Sequence, residues 1–215
     1  EAKSGRKAGF LEKILMFLGI RQKAKDPDSN YTEKEQSYQN LSADETAALA
    51  VKACSDTVKL SKSGKFGCYA KEMEAVSYSR GDDFAYVVLA KIQEADSVAK
   101  GCHFIAHGIG WGSYKRNTSD WQNLIATSSA ICSYGAQMGI IELHTQSLPD
   151  GKLAKKDVPD LCGPKPTADC NHAVGHMMML EAKANLSASI DLCSSLADKN
   201  QNYICLTGAF MERMI

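Results

Sequence analysis

Two parts of this chain repeat the same order of cysteine, histidine and glycine, and this repeat constrains the fold more than any other feature. Cys132-Ser-Tyr-Gly-Ala-Gln-Met matches Cys205-Leu-Thr-Gly-Ala-Phe-Met, with cysteine, glycine, alanine and methionine at the same offsets. Each copy follows a segment with a cysteine and two histidines, and a partial copy without histidines runs from Cys54 to Met73. Internal similarity of this kind predicts a duplicated domain whose units pack on one another.

The local signals within these units are those of helices. Ser42-Ala-Asp-Glu45 is a capping box before an alanine-rich run over 43–60. Asp83 is a candidate helix cap after Gly81, and Ser119-Asp-Trp opens a further short helix. Alternation of the strand type is scarce. We therefore predict an all-α fold: an internally duplicated, disulfide-stapled helical bundle or a short helical-repeat array, with an N-terminal amphipathic helix.

The distribution of charge divides the chain into three parts. Residues 1–25 carry seven Lys and Arg against two Glu, and 8–23 have the pattern of a basic amphipathic helix. Residues 26–41 form a polar linker, and residues 42–215 form the Cys/His-rich duplicated domain. We expect the N-terminal helix to pack on the core, to bind a protein partner or a second copy, or to touch a membrane surface.

Two kinds of partner are not expected. The formal net charge of the chain is zero, whereas binding to nucleic-acid phosphates needs a basic surplus. No segment contains the roughly 20 consecutive apolar residues of a membrane-spanning helix. We therefore predict neither a nucleic-acid partner nor a transmembrane span.

The cysteines indicate disulfides. There are eight, none in a CxxC pair, which disfavours zinc ribbons and covalent haem attachment through CxxCH. An even set of scattered cysteines is typical of an oxidising compartment. The repeat favours the pairs Cys54–Cys68 and Cys193–Cys205, and Cys102–Cys132 with Cys162–Cys170 would complete the set. In a reduced protein, Cys102 and Cys170 would instead be candidate thiolate ligands.

Four N-x-S/T sequons support secretion, since such tripeptides are acceptors for N-glycosylation. They begin at Asn30, Asn40, Asn117 and Asn185. Together with the cysteines they predict an extracellular, cell-surface or periplasmic glycoprotein. The sequence starts at Glu1 without a signal peptide, so we expect a mature product. The last repeat stops within a helix at Ile215, which is compatible with a truncated C-terminus.

Two histidine pairs are the strongest functional signal. Cys102-His103-x-x-x-His107 and Cys170-x-His172-x-x-x-His176 hold four of the five histidines. Residues i and i+4 share a helix face, so two such helices could form one four-nitrogen site. Neutral imidazole suits copper, iron, zinc and haem iron. Further candidate ligands are Met179, which would favour copper, and Glu142 and Glu212.

Glycines beside the histidines indicate that something approaches these helices closely. They are Gly101, Gly108, Gly110 and Gly175, and glycine is costly within a helix. Either another helix or a flat ligand such as a porphyrin could occupy that space. Duplication could equally have copied a histidine that only packs.

The motif order CHxxxHxxG, CxxGxxxGxxE and CxHxxGH resembles a group of secreted prokaryotic proteins with repeated Cys/His helices and no assigned function. The residues that carry it, over about half the chain, are Cys102, His103, His107, Gly110, Cys132, Gly135, Gly139, Glu142, Cys170, His172, Gly175 and His176. The chain departs from the group at Met138, where other members place a further histidine. The resemblance implies repeated Cys/His helices and no particular reaction.

These observations predict a secreted or cell-surface protein that binds a transition metal or haem through its two HxxxH helices. Its role would be metal handling or electron transfer, as a subunit of a larger extracellular assembly. The alternative is a structural subunit of a surface or filament assembly without a cofactor. GxSxG, HExxH and P-loop motifs are absent from the sequence. We predict no catalytic residue, and an enzyme of this composition would be a metal-dependent oxidoreductase.

Overall fold

The computed structural model describes residues 37–55, 62–148, 151, 153–164 and 166–214. Its regular elements there are all helical, which confirms the predicted all-α class with disulfides. The predicted N-terminal helix and Asn30 lie outside the described residues, and the internal duplication stays a prediction. The helices are α1 Ala43–Ser55, α2 Lys62–Arg80, α3 Asp82–Ala95, α4 His103–Arg116, α5 Trp121–Thr127, α6 Gly135–Ser147, α7 Ala168–Glu181, α8 Leu186–Cys193 and α9 Lys199–Met214, with 3₁₀ turns at Ser97–Lys100, Thr118–Asp120 and Lys155–Asp160.

Four disulfides link the described residues: the two pairs that the repeat favoured and the two pairs that would complete the set. Cys54–Cys68 joins α1 to α2, and Cys193–Cys205 joins α8 to α9. Cys102–Cys132 and Cys162–Cys170 complete the set. Every cysteine is therefore oxidised. The alternative in which Cys102 and Cys170 are thiolate ligands is wrong for this structure.

The predicted helix starts are right in one case and wrong in another. At α1 the Ser42 amide donates to the Glu45 carboxylate over 2.8 Å and the Glu45 amide donates to Ser42 Oγ over 3.3 Å, which forms the capping box. Asp83 does not cap α3. Gly81 occupies the cap position with φ of +88°, a conformation that glycine adopts easily, and α3 begins at Asp82.

Two apolar cores meet along α4 and α6. One core lies among α1 to α4 and includes Tyr69, Met73, Leu89, Ile92 and Ile105. The other lies among α5 to α9 and includes Ile125, Met138, Ile141, Leu161 and Met178. None of the described helices is long and apolar enough to cross a membrane.

Glycines let the central helices touch backbone to backbone. A Cβ added at Gly108 of α4 would lie 1.9 Å from the Ala70 carbonyl oxygen of α2. One added at Gly175 of α7 would lie 1.9 Å from the Cys205 carbonyl oxygen of α9. Contacts this short exclude any side chain. Of the glycines beside the histidines, Gly108, Gly110 and Gly175 therefore serve close helix packing, whereas the closest neighbour of Gly101 is the Phe66 side chain.

Candidate metal centre

The helices α4 and α7 bring the four motif histidines together. His103 and His107, the α4 pair, have ring centroids 5.1 Å apart. His172 and His176, the α7 pair, have ring centroids 4.9 Å apart. The two pairs meet where the rings of His103 and His176 lie 5.9 Å from each other. The four rings thus form a row in the order His107, His103, His176, His172.

The row is not a single converging ligand set. Among the described residues, no three of these histidines place ligand atoms within 4.8 Å of one another. The one group of three that meets this distance is Cys54, Cys68 and Glu72. Its two sulfurs form a disulfide, and metal binding by cysteine needs the thiolate. That group is therefore no metal site.

In the α4 pair, both Nδ1 atoms face hydrogen-bond acceptors. His103 Nδ1 lies 3.1 Å from the Cys132 carbonyl oxygen, which can only accept, so this nitrogen carries the hydrogen. His107 Nδ1 lies 3.4 Å from the Glu142 carboxylate, which also accepts a 2.8 Å bond from Trp111 Nε1. In the neutral rings each Nε2 then has a free lone pair. The two Nε2 atoms lie 3.5 Å apart.

The α7 pair has the same arrangement with different partners. His176 Nδ1 donates to the Glu212 carboxylate over 2.8 Å. His172 Nδ1 lies 3.0 Å from Thr207 Oγ1, whose own hydrogen goes to the Ile204 carbonyl oxygen over 2.6 Å. Because that hydrogen is used, Thr207 accepts from His172. The two Nε2 atoms face each other at 3.1 Å.

With the hydrogens on the Nδ1 atoms, the two Nε2 atoms of each pair face each other. Protonation of the less buried histidine of each pair is disfavoured. Burial, reinforced by the neighbouring His107, lowers the pKa of His103 to about 4. Burial and the neighbouring His176 also lower the pKa of His172. Two imidazole nitrogens at this spacing could hold a transition-metal ion.

Backbone contacts hold the first histidine of each pair. A Cβ on Gly135 of α6 would lie 2.3 Å from the His103 carbonyl oxygen, and one on Gly208 of α9 would lie 2.0 Å from the His172 carbonyl oxygen. The equivalent glycines of the repeat thus press against equivalent histidines. The helix crossing fixes where each pair lies.

A left-handed turn connects the two pairs. Cys132, Ser133 and Tyr134 have φ of 60°, 52° and 64°, which costs about 1–2 kcal/mol for each residue. Cys132 is tied to Cys102 by the disulfide and accepts from His103. The Tyr134 ring lies 5.1 Å from the His172 ring, and its hydroxyl donates to Asp169 over 3.2 Å. One strained turn therefore contacts both histidine pairs.

The other candidate ligands take different positions. Glu142 and Glu212 contact Nδ1 atoms, on the far side of the rings from the facing Nε2 atoms, so they support the histidines from behind. Met179 is buried and, by helix periodicity, shares the face of His172 and His176. The fifth histidine, His144, stacks on Trp121 at 3.7 Å and belongs to neither pair.

Three residues of the site were missed by sequence reasoning. The Cys132 carbonyl and Thr207 depend on how helices cross, and no sequence signal marks them. Trp111 follows His107 at i+4 on the same helix face, and that spacing could have pointed to it.

The described sequons lie at or near the surface. Asn40 is exposed, and Asn117 is half-buried. Asn185 is exposed, and its side chain accepts a 3.1 Å bond from the Ala188 amide at the start of α8.

Comparison of the chain with known protein families, curated proteins and solved structures finds no match. The fold and the site define it by class: an all-α, disulfide-linked protein with two neighbouring histidine pairs. Its function is therefore argued from the chemistry of those pairs.

The low pKa of His103 predicts acid sensitivity in the metal-free protein. Between about pH 6.5 and 4 the unfolded chain binds a proton at His103 that the folded protein does not, so stability falls as the pH is lowered through this window. The gap between the two pKa values corresponds to about 3 kcal/mol at most. Urea unfolding at pH 7 and pH 4.5 should show a smaller loss of stability for His103→Asn than for the native protein. Equal losses in both would contradict the assignment.

Proposed function

We propose that this protein binds transition-metal ions through the Nε2 atoms of its two histidine pairs and functions in metal handling. The observation that carries the proposal is that the Nε2 atoms face each other at 3.5 Å in the α4 pair and 3.1 Å in the α7 pair. Two imidazole nitrogens bound tetrahedrally to one ion, each about 2.0–2.1 Å from it, lie about 3.3 Å apart. The spacing in both pairs is close to that value.

The partners of the Nδ1 atoms support the same proposal. Histidines that bind metals usually donate their other ring hydrogen to a carboxylate, a carbonyl or a similar acceptor, which fixes the tautomer and the ring orientation. All four histidines have such an acceptor: Cys132 O, Glu142, Thr207 Oγ1 and Glu212. A histidine that only packs needs no uniform choice of tautomer.

The burial of the four histidines favours sites that exchange their metal ions over sites that hold a structural ion permanently. In each pair the second histidine is buried, with His107 at 4% and His176 at 1% exposure, whereas His103 and His172 are only half-buried. A metal ion would approach from the side of His103 and His172 and would keep coordination positions there for solvent or a second ligand. Open positions of this kind distinguish exchanging and reactive sites from closed structural ones.

Copper, iron and zinc all fit imidazole donors, and the buried thioether of Met179 favours copper in the α7 pair. Haem has less support, because helix backbone fills the space beside Gly108, Gly110 and Gly175. Electron transfer would require that the bound ion change its oxidation state, which a voltammogram of the loaded protein would show.

The proposed location is extracellular, cell-surface or periplasmic. Four disulfides are consistent with an oxidising environment. The exposed sequons at Asn40 and Asn185 support glycosylation in a host that performs it.

The test is metal content and metal titration of the full chain, purified without a metal-chelating tag. We expect the native protein to bind Zn²⁺ and Cu²⁺ stoichiometrically. The double variant His103→Asn/His172→Asn should lose this binding, because it removes one Nε2 atom from each pair. His144→Asn is the matched control and should bind as the native protein does. Absence of stoichiometric metal in the native protein would overturn the proposal.

The second candidate is a structural subunit in which copies of this chain contact each other. It is favoured by α9, which exposes Tyr203, Phe210 and Met214 to 66%, 46% and 81%. Light scattering after size-exclusion chromatography tests whether copies of the chain associate. A metal-free oligomer would support this candidate function, and a monomer at high concentration would contradict it.

A further inference from the structure

We infer that the centre holds two metal ions, one in each histidine pair, rather than one ion shared by four imidazoles. This inference rests on the proposed function, metal binding by the histidines, and specifies its stoichiometry. The ligand class is a divalent transition-metal ion that accepts two imidazole nitrogens from the protein. Two independent features of the site lead to this number.

The first feature is the direction of the Nε2 atoms. Each Nε2 faces its partner on the same helix, four residues away, at 3.5 or 3.1 Å. The two pairs approach each other only through the rings of His103 and His176, whose centroids are 5.9 Å apart. Within the described part of the chain, three of these histidines never bring ligand atoms within 4.8 Å of one another. An ion placed between one pair is therefore out of bonding range of the other.

The second feature is the anchoring of the rings. For four imidazoles to reach one ion, His103 or His172 would have to rotate toward the opposite pair. That rotation would break the 3.1 Å bond from His103 to the Cys132 carbonyl or the 3.0 Å bond from His172 to Thr207. Loss of one such hydrogen bond costs about 0.5–1.5 kcal/mol. The arrangement with one ion in each pair retains both bonds.

Because the two histidine pairs are adjacent, an ion bound in one pair affects the binding of an ion in the other. Two divalent ions held on adjacent rings repel each other, and the repulsion is screened only weakly in a partly buried site. We therefore expect the second ion to bind more weakly than the first.

The experiment is native mass spectrometry of the full chain titrated with Zn²⁺, supported by equilibrium dialysis with Cu²⁺. We expect two ions in the native protein, one in His103→Asn, one in His172→Asn and none in the double variant. Asparagine is chosen because its side-chain amide can still donate to Cys132 O or Thr207 Oγ1. His144→Asn should retain two ions.

A second set of variants leaves all four imidazoles in place. Glu142→Gln should lower the affinity for the ion of the α4 pair about 10–100-fold, and Glu212→Gln should do the same for the ion of the α7 pair. Loss of the acceptor behind a ligand histidine typically lowers metal affinity by that factor. The outcomes separate the two ideas. A native protein with one ion, lost equally in either single histidine variant, overturns the two-ion inference and leaves the proposed function standing. A native protein without any ion overturns both.

Discussion

Replacing Gly175 with alanine is expected to destabilise the protein by about 3 kcal/mol or more. The new Cβ would lie 1.9 Å from the Cys205 carbonyl oxygen and 2.8 Å from the Ala209 amide nitrogen. Both are backbone atoms of α9, and Cys205 is further held by its disulfide to Cys193. The two helices must therefore separate. Thermal or urea unfolding measures the loss.

The same substitution at Gly101 is the matched control. There the nearest atom is the Cζ of Phe66 at 3.0 Å, the far end of a side chain that can move. Its φ of −79° is open to alanine. We expect a change within about 1 kcal/mol. If Gly175→Ala were as mild as Gly101→Ala, the close crossing of α7 and α9 would be wrong.

The proposed metal binding provides a second measurement of the effect of Gly175→Ala. Because Gly208 of α9 contacts the His172 carbonyl, separation of α7 from α9 displaces the α7 pair and the Thr207 and Glu212 that orient it. Gly175→Ala protein that remains folded at low temperature should therefore bind the ion of the α7 pair more weakly. The α4 pair, held by α6, should be affected less.

Removing the Cys102–Cys132 disulfide is expected to have an effect of similar size. The bridge closes a loop with a sequence separation of 30, for which the chain-entropy model gives about 3–4 kcal/mol. It also holds the left-handed turn whose Cys132 carbonyl accepts from His103. Cys102→Ala/Cys132→Ala should lower the free energy of unfolding by that amount. It should also lower the affinity of the α4 pair for its proposed metal ion about tenfold or more.

The control is the bridge between Cys54 and Cys68, with a separation of 14. Cys54→Ala/Cys68→Ala should cost about 3 kcal/mol by the same model, but it lies in the α1–α2 hairpin and contacts neither histidine pair. The affinity of this double variant for metal ions should equal that of the native protein. Equal losses of affinity in the two double variants would mean that the α4 pair does not depend on the Cys132 turn.

Much of the fold could be predicted because it depends on spacing along the chain. The cysteines of the repeat flank short helical hairpins, so their pairing followed once the repeat was recognised. The histidine pairs fall on one helix face because the helix period places i and i+4 together. The capping box at Ser42 needs only residues of one turn.

The remaining features depend on contacts between helices, which spacing does not reveal. Asp83 was expected to cap α3, but the positive φ of Gly81 sets the start of that helix one residue earlier. Three successive left-handed residues at Cys132–Tyr134 contradict local preference, and they are held by a disulfide and by tertiary contacts. The direction in which each Nδ1 points, and hence the division into two pairs, follows from those same contacts.

The hydrogen bonds of the four Nδ1 atoms have a consequence for the energetics of metal uptake. Because each imidazole keeps a hydrogen on the Nδ1 atom that faces an acceptor, and because burial lowers the pKa of His103 and of His172, an ion that binds at the Nε2 atoms is expected to leave those hydrogens in place. The heat of binding should then be the same in phosphate and in Tris, two buffers with very different enthalpies of ionisation. Folding would already have prepared the donor set, and the calorimeter would record only coordination and the release of water from the ion.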